Sequence, residues 1–131
     1  MTWHHLVQQV RDLGRYDSDR EAERVLDAVL TVLGSQLTGD ERCDLAAALP
    51  DRARAVLAAQ IPLTRPVAAP AFVEAVARIL ATTLTAARWD SSTVLTVLSA
   101  LAGQQLTDRL LDALPRNYAL LFGRADLAAA C

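Results

Sequence analysis

The sequence predicts an all-α protein of about eight helices, arranged as two tandem four-helix units packed into one compact bundle. Three observations predict it. Apolar residues recur at helical spacing along most of the chain. No segment alternates apolar and polar residues with period two, so no strand is expected. One phrase also occurs twice: GSQLTGDERCDLAAALP at residues 34–50 and GQQLTDRLLDALP at residues 103–115.

The repetition extends beyond the phrase. Placing Leu37 and Thr38 on Leu106 and Thr107 also places Val25 and Leu26 on Val94 and Leu95, Val32 on Leu101, Gly34 on Gly103 and Gln36 on Gln105. Past the threonine the second phrase is four residues shorter, which brings Leu49-Pro50 onto Leu114-Pro115. Upstream, HLVQQVRDL at residues 5–13 matches AFVEAVARI at residues 71–79. The repeats span residues 1–60 and 70–124, joined by the proline-rich linker QIPLTRPVAAP (60–70), with a short C-terminal tail. So long a period in only two copies predicts a duplicated bundle rather than a solenoid.

Each element has a local cause. Trp3, Leu6, Val7, Val10 and Leu13 mark one face of a first helix, which Gly14 is expected to close in a left-handed cap. Ser18 with Glu21 is a capping box, opening a helix with Ala22, Val25, Leu26, Val29 and Leu33 on one stripe. Thr38 with Glu41 is a second box and starts a short helix ending at Leu49. Pro50 disfavours helical geometry at Leu49 but suits the first turn of a helix holding Ala53, Val56 and Leu57.

The second unit follows the same order. Pro70 opens a helix with Phe72, Val73, Val76, Ile79 and Leu80. Asp90 and Ser91 resemble a local cap for the next helix, but the repeat starts it near Thr85, and the repeat is preferred because packing overrides weak local signals. That helix carries Val94, Leu95, Leu98, Leu101 and Ala102. Thr107, Leu110, Leu111 and Leu114 give a short helix, and Tyr118, Leu121 and Phe122 the last. In the repeated phrase Gly34 or Gly103 lets a long helix end, the Leu-Thr pair supplies an apolar anchor and an N-cap, and Leu-Pro forces a corner. It therefore reads as helix, corner, helix, and not as an active-site motif.

These residues resemble a known family. EAERVLDAVLTVLGSQLTGDERCDLAAALP and LPRNYALLFGR are similar to the two halves of the bacterial domain-of-unknown-function 2267 family, and the resemblance runs from about Trp3 to Arg124. It rests on Glu21-Ala22-Glu23-Arg24, on Ala28-Val29-Leu30, and on both Leu-Pro corners with Tyr118 and Phe122 behind the second. It implies an all-helical, tandem-repeat, cytoplasmic protein and supplies no activity. The chain departs from the family pattern at TAARWDSST (85–93), where a charged segment is expected.

Bulk properties exclude several function classes. The 131 residues are 53% hydrophobic and 21% charged, enough for one self-supporting core. A net charge of −2 gives no footprint for nucleic acid. All thirteen positive side chains are arginine, an alanine-rich and lysine-free composition expected of a GC-rich, actinobacterial coding bias. Arg88 and Asp90 interrupt the most apolar stretch, so no membrane span is expected. MTWHHLVQQVRDLG lacks a basic start before an apolar run, and two cysteines make no disulfide framework; both point to the cytoplasm.

Candidate chemistry is sparse. His4 and His5 are adjacent and diverge by about 100° on a helix, so they cannot share a metal as an i, i+4 pair does. Cys43 reads as a small buried or half-buried filler, and Cys131 ends the tail with no assigned role. The carboxylates of the first unit are interleaved with Arg11, Arg15, Arg20, Arg24, Arg42, Arg52 and Arg54, the pattern of a solvated mixed-sign surface. No glycine-rich phosphate loop or nucleophile elbow occurs. No catalytic residue, metal or cofactor is expected.

The informative anomaly is a difference between the repeats. Arg20, Glu23, Arg24 and Asp27 align with Trp89, Ser92, Thr93 and Thr96. Charges on the first long helix become an aromatic and small hydroxyl residues on the second. This flank is buried within the chain, or forms a contact with a partner or a second copy, where a tryptophan is a favoured anchor, or has lost its charges by drift on an exposed face. The expected function is a non-enzymatic interaction module, an adaptor or scaffold able to self-associate. The alternative is a small-ligand or sensor domain with an apolar site between the repeats, near Tyr118, Phe122 and Trp89.

Overall fold

The apolar stripes fold into eight α-helices with no strand among the described residues, and the computed structural model describes residues 1–124. In chain order these are α1 (Trp3–Gly14), α2 (Asp19–Gly34), α3 (Gly39–Ala48), α4 (Asp51–Ala58), α5 (Ala69–Leu80), α6 (Leu84–Ala102), α7 (Gln104–Ala113) and α8 (Tyr118–Leu121). The two longest, α2 and α6, pack on each other; α1 and α5 each touch both. α4 covers α2, and α7 and α8 cover α6. From Val25 to Leu33 almost every α2 residue is buried, as a helix with neighbours on several sides requires.

Most local signals act as expected. Ser18 Oγ accepts from the Glu21 amide at 3.1 Å, although Glu21 answers by accepting from the Asp17 amide rather than that of Ser18. α6 starts at Leu84, one residue from the position the repeat indicates, and Thr83 Oγ1 caps it by accepting from the Ala86 amide. Leu49 and Leu114, each preceding proline, are extended and buried, so both Leu-Pro corners turn the chain while anchoring it in the core. Phe72 and Tyr118 meet edge to face at 5.6 Å. The Tyr118 hydroxyl donates to the Val67 carbonyl at 2.7 Å, tying the linker to the last helix.

Four positions act differently. Gly14 is the last residue of α1, and the left-handed cap is Arg15, with φ 58°. The glycine is needed because the Tyr16 ring lies against it: an added Cβ would stand 2.2 Å from that ring. Gly34 likewise serves close approach, since a Cβ there would stand 2.6 Å from the Leu57 carbonyl oxygen. Thr38 occupies the N-cap of α3 without a side-chain hydrogen bond. Thr107 lies inside α7, buried, with its hydroxyl on the Ser99 carbonyl at 3.2 Å; Gly103, with φ 85°, joins α6 directly to α7.

Some side chains also sit elsewhere than expected. Leu13 and Ile79 face outward, and Cys43 is an exposed free thiol. Arg42 is half-buried and not a surface charge. Its guanidinium donates to the carbonyls of Gly34, Leu37, Leu57 and Gln60, closing the C-terminal ends of α2 and α4.

Among the described residues no single helix is long and apolar enough to cross a membrane. α5 and α6 would suffice by length and composition only together, and they bend by 104°.

Candidate functional site

α6 is built from residues that leave few charges to solvent: Arg88 and Asp90 are its only ionisable side chains. Around its second turn the side chains Trp89, Asp90 and Thr93 meet the loop that ends α1. Tyr16 lies on Gly14 and donates to Asp90 Oδ1 at 2.6 Å. The Trp89 indole N–H donates to the Gly14 carbonyl at 3.1 Å, and the Thr93 hydroxyl donates to the Trp89 carbonyl at 2.8 Å. Asp90 and Thr93 are buried by this contact. Burial raises the Asp90 carboxyl above its ordinary range, and the Tyr16 hydrogen bond partly offsets this. Burial and the adjacent carboxylate push the Tyr16 hydroxyl far up, so it stays the donor.

The four residues singled out on the second long helix thus have different surroundings. Thr93 is buried within the chain, and Ser92 and Thr96 are half-buried. Thr96 is approached by the backbone after α8, where a Cβ on Gly123 would stand 2.8 Å from its hydroxyl oxygen. Trp89 remains 54% exposed although its N–H is satisfied. The stripe is covered at its middle and C-terminal end and open at its N-terminal end.

The open end continues into a groove that composition did not reveal. Leu84, Thr85, Arg88 and Trp89 follow one helix face at spacings of one, three and one residues. Leu84 is 57% exposed. Beside it the start of α5 and the short α8 leave an open hollow of about 430 Å³, lined by Val73, Glu74, Leu84, Arg88, Leu120 and Leu121 among others. Leu120, on the far rim, is 48% exposed. Neither Glu74 nor Arg88 forms an ion pair among the described residues. Sequence periodicity marked α6 as a helix but could not show that its first turn lacks a covering neighbour. The single acid on a helix whose one other charge is Arg88 was the available signal for Asp90.

A second hollow of about 360 Å³ lies between the end of α2, α5 and the linker, bordered by Val32, Gln36, Ile61, Leu63 and Arg78 among others. The buried Gln36 fastens the linker there, accepting from the Val67 amide at 2.7 Å and donating to Ser35 Oγ at 2.9 Å. Neither hollow is lined by Tyr118, Phe122 or Trp89: the first two are core residues, and Trp89 sits at the α1 end.

His4 and His5 are exposed on α1. Among the described residues no three His, Cys, Asp or Glu side chains gather as a metal site would require. Cys131 lies outside the described residues.

No curated protein matches the chain. A family model does: the one described as an uncharacterized conserved protein (DUF2267) matches residues 3–121, nearly the whole described fold. The chain, whose described residues form an eight-helix bundle, therefore belongs to the DUF2267 family.

Proposed function

We propose that this chain is a non-enzymatic helical interaction module, an adaptor or scaffold, whose contact face is the open N-terminal end of α6 with the groove beside it. The observation that carries the reading is the exposure of Leu84 and Trp89, 57% and 54%, on a helix whose remaining apolar residues are mostly covered. Apolar side chains left on a groove rim next to unpaired charges suit a protein partner, with the apolar residues as anchors and the charges fixing register. Support for the absence of catalysis comes from the buried polar groups. Asp90, Gln36 and Tyr118 are each engaged in a bond that holds helices or linker together. A reducing cytoplasm suits the exposed Cys43 thiol.

The two-unit arrangement belongs to the same proposal. Left-handed caps fall at Arg15 and Ala81, and extended pre-proline corners at Leu49 and Leu114, at corresponding places in residues 1–60 and 70–124. α1 pairs with α2 as α5 pairs with α6.

Replacing Leu84 and Leu120 together by glutamate tests the contact face. The expected result is an unchanged helical spectrum with loss of the proteins crosslinked to the wild-type chain in its own cells. Retention of the same set overturns the reading. A second reading is favoured by the groove's size, which falls in the range of small-molecule sites. There, a metabolite screen would raise the melting temperature, and Leu84→Glu would abolish the rise.

A further inference from the structure

We infer that the occupant of the α5–α6–α8 groove is a second copy of this chain, docked about a two-fold axis with Glu74 of each copy against Arg88 of the other. The pairing rests on the reading of the groove as a contact face and names its partner. Both residues line the same hollow, one on α5 and one on α6, and neither has an ionic partner within the chain among the described residues. An acidic ligand is repelled by Glu74 and a basic one by Arg88. A wholly apolar ligand strips water from both and leaves each unpaired, which is costly.

A rotated copy of the same surface satisfies both. In an isologous interface residue i meets j and j meets i, so one acid and one base on a shared face supply two ion pairs. The apolar parts obey the same symmetry. Leu84 and Leu120 stand at the rim, 57% and 48% exposed, beside a hollow floored by Val73 and Leu121. The surface therefore carries both projections and a recess to receive them. A net charge of only −2 leaves little long-range repulsion between copies.

Sedimentation of the whole chain, with Glu74→Arg and Arg88→Glu made singly and mixed, tests this. The wild-type chain is expected to sediment as a dimer. Each single variant places like charges at both contacts and should weaken association more than about tenfold, with an unchanged helical spectrum at these exposed positions. Mixing the two monomeric variants restores opposite charges at both contacts, so a one-to-one heterodimer is expected. A wild-type monomer overturns the second-copy inference, as does a dimer indifferent to both variants or a mixture that stays monomeric. The broader contact-face reading falls separately, when Leu84→Glu with Leu120→Glu retains every crosslinked partner. Monomer mass together with loss of those partners would leave a different protein in the groove.

Discussion

The Tyr16 hydroxyl and the Asp90 carboxylate, 74 positions apart in sequence, meet at 2.6 Å and join the end of α1 to the second turn of α6. The bond crosses between the halves of the chain and sits beside Trp89, at the edge of the open face. It holds the loop after α1 beside Thr93, while Leu84 stays uncovered.

Tyr16→Phe keeps the ring on Gly14 but leaves Asp90 buried without its donor. A loss of about 1–3 kcal/mol is expected. Burial already raises the Asp90 carboxyl, Tyr16 lowers it, and Glu21 adds a smaller upward push. An acid raised in the folded chain binds its proton more tightly there, so stability falls as pH rises from the unfolded-state value through the folded-state value. Below that window Asp90 is protonated in both states and the charge penalty is absent. Removing the Tyr16 hydroxyl raises the folded-state value further. The stability gap between wild type and variant, measured by urea unfolding, should therefore widen as pH rises from the unfolded-state carboxyl value through the raised folded-state value. A gap independent of pH would contradict this.

Arg42→Ala removes the cation that serves carbonyls at the ends of both α2 and α4. The expected cost is about 2–3 kcal/mol, because hydrogen bonds from charged groups exceed neutral ones and the released carbonyls are partly buried. Arg42→Lys should recover only part of it, since one ammonium cannot span two helix ends as the planar fork does. Equal stability of lysine and arginine in thermal unfolding would show that charge alone is sufficient.

Ser91 is fully buried with no hydrogen-bond partner for its hydroxyl. Ala22, which aligns with it when Leu37-Thr38 is placed on Leu106-Thr107, is equally buried. Ser91→Ala should be neutral or stabilising by up to about 1 kcal/mol, because it deletes an unsatisfied polar atom and leaves little space. Destabilisation in chemical unfolding would mean that the hydroxyl is bonded after all.

Helices and corners were legible because their causes are local. Apolar spacing marked the α2 and α6 stripes, and Leu49 and Leu114 were held extended by the prolines that follow them. The glycines misled because a glycine offers two properties, and spacing does not say which is used. At Gly14 and Gly34 the missing Cβ admits a neighbour, and the left-handed cap of α1 moves to Arg15. The Leu-Thr pair predicts an N-cap at Thr107, but Gly103 takes the N-cap of α7, which begins at Gln104, so the threonine lies inside the helix. At the candidate site, lost charge identified Trp89, whereas Tyr16, Leu84 and Leu120 acquire significance only through neighbours distant in sequence.

The most direct measurement is site-specific photo-crosslinking in the protein's own cells, with the reactive side chain at Leu84 and, as control, at the exposed Arg20 of α2. Adducts at Leu84 and none at Arg20 are the expected result. No adduct at Leu84, or equal yields at both positions, would contradict the assignment of the α6 end as the contact face.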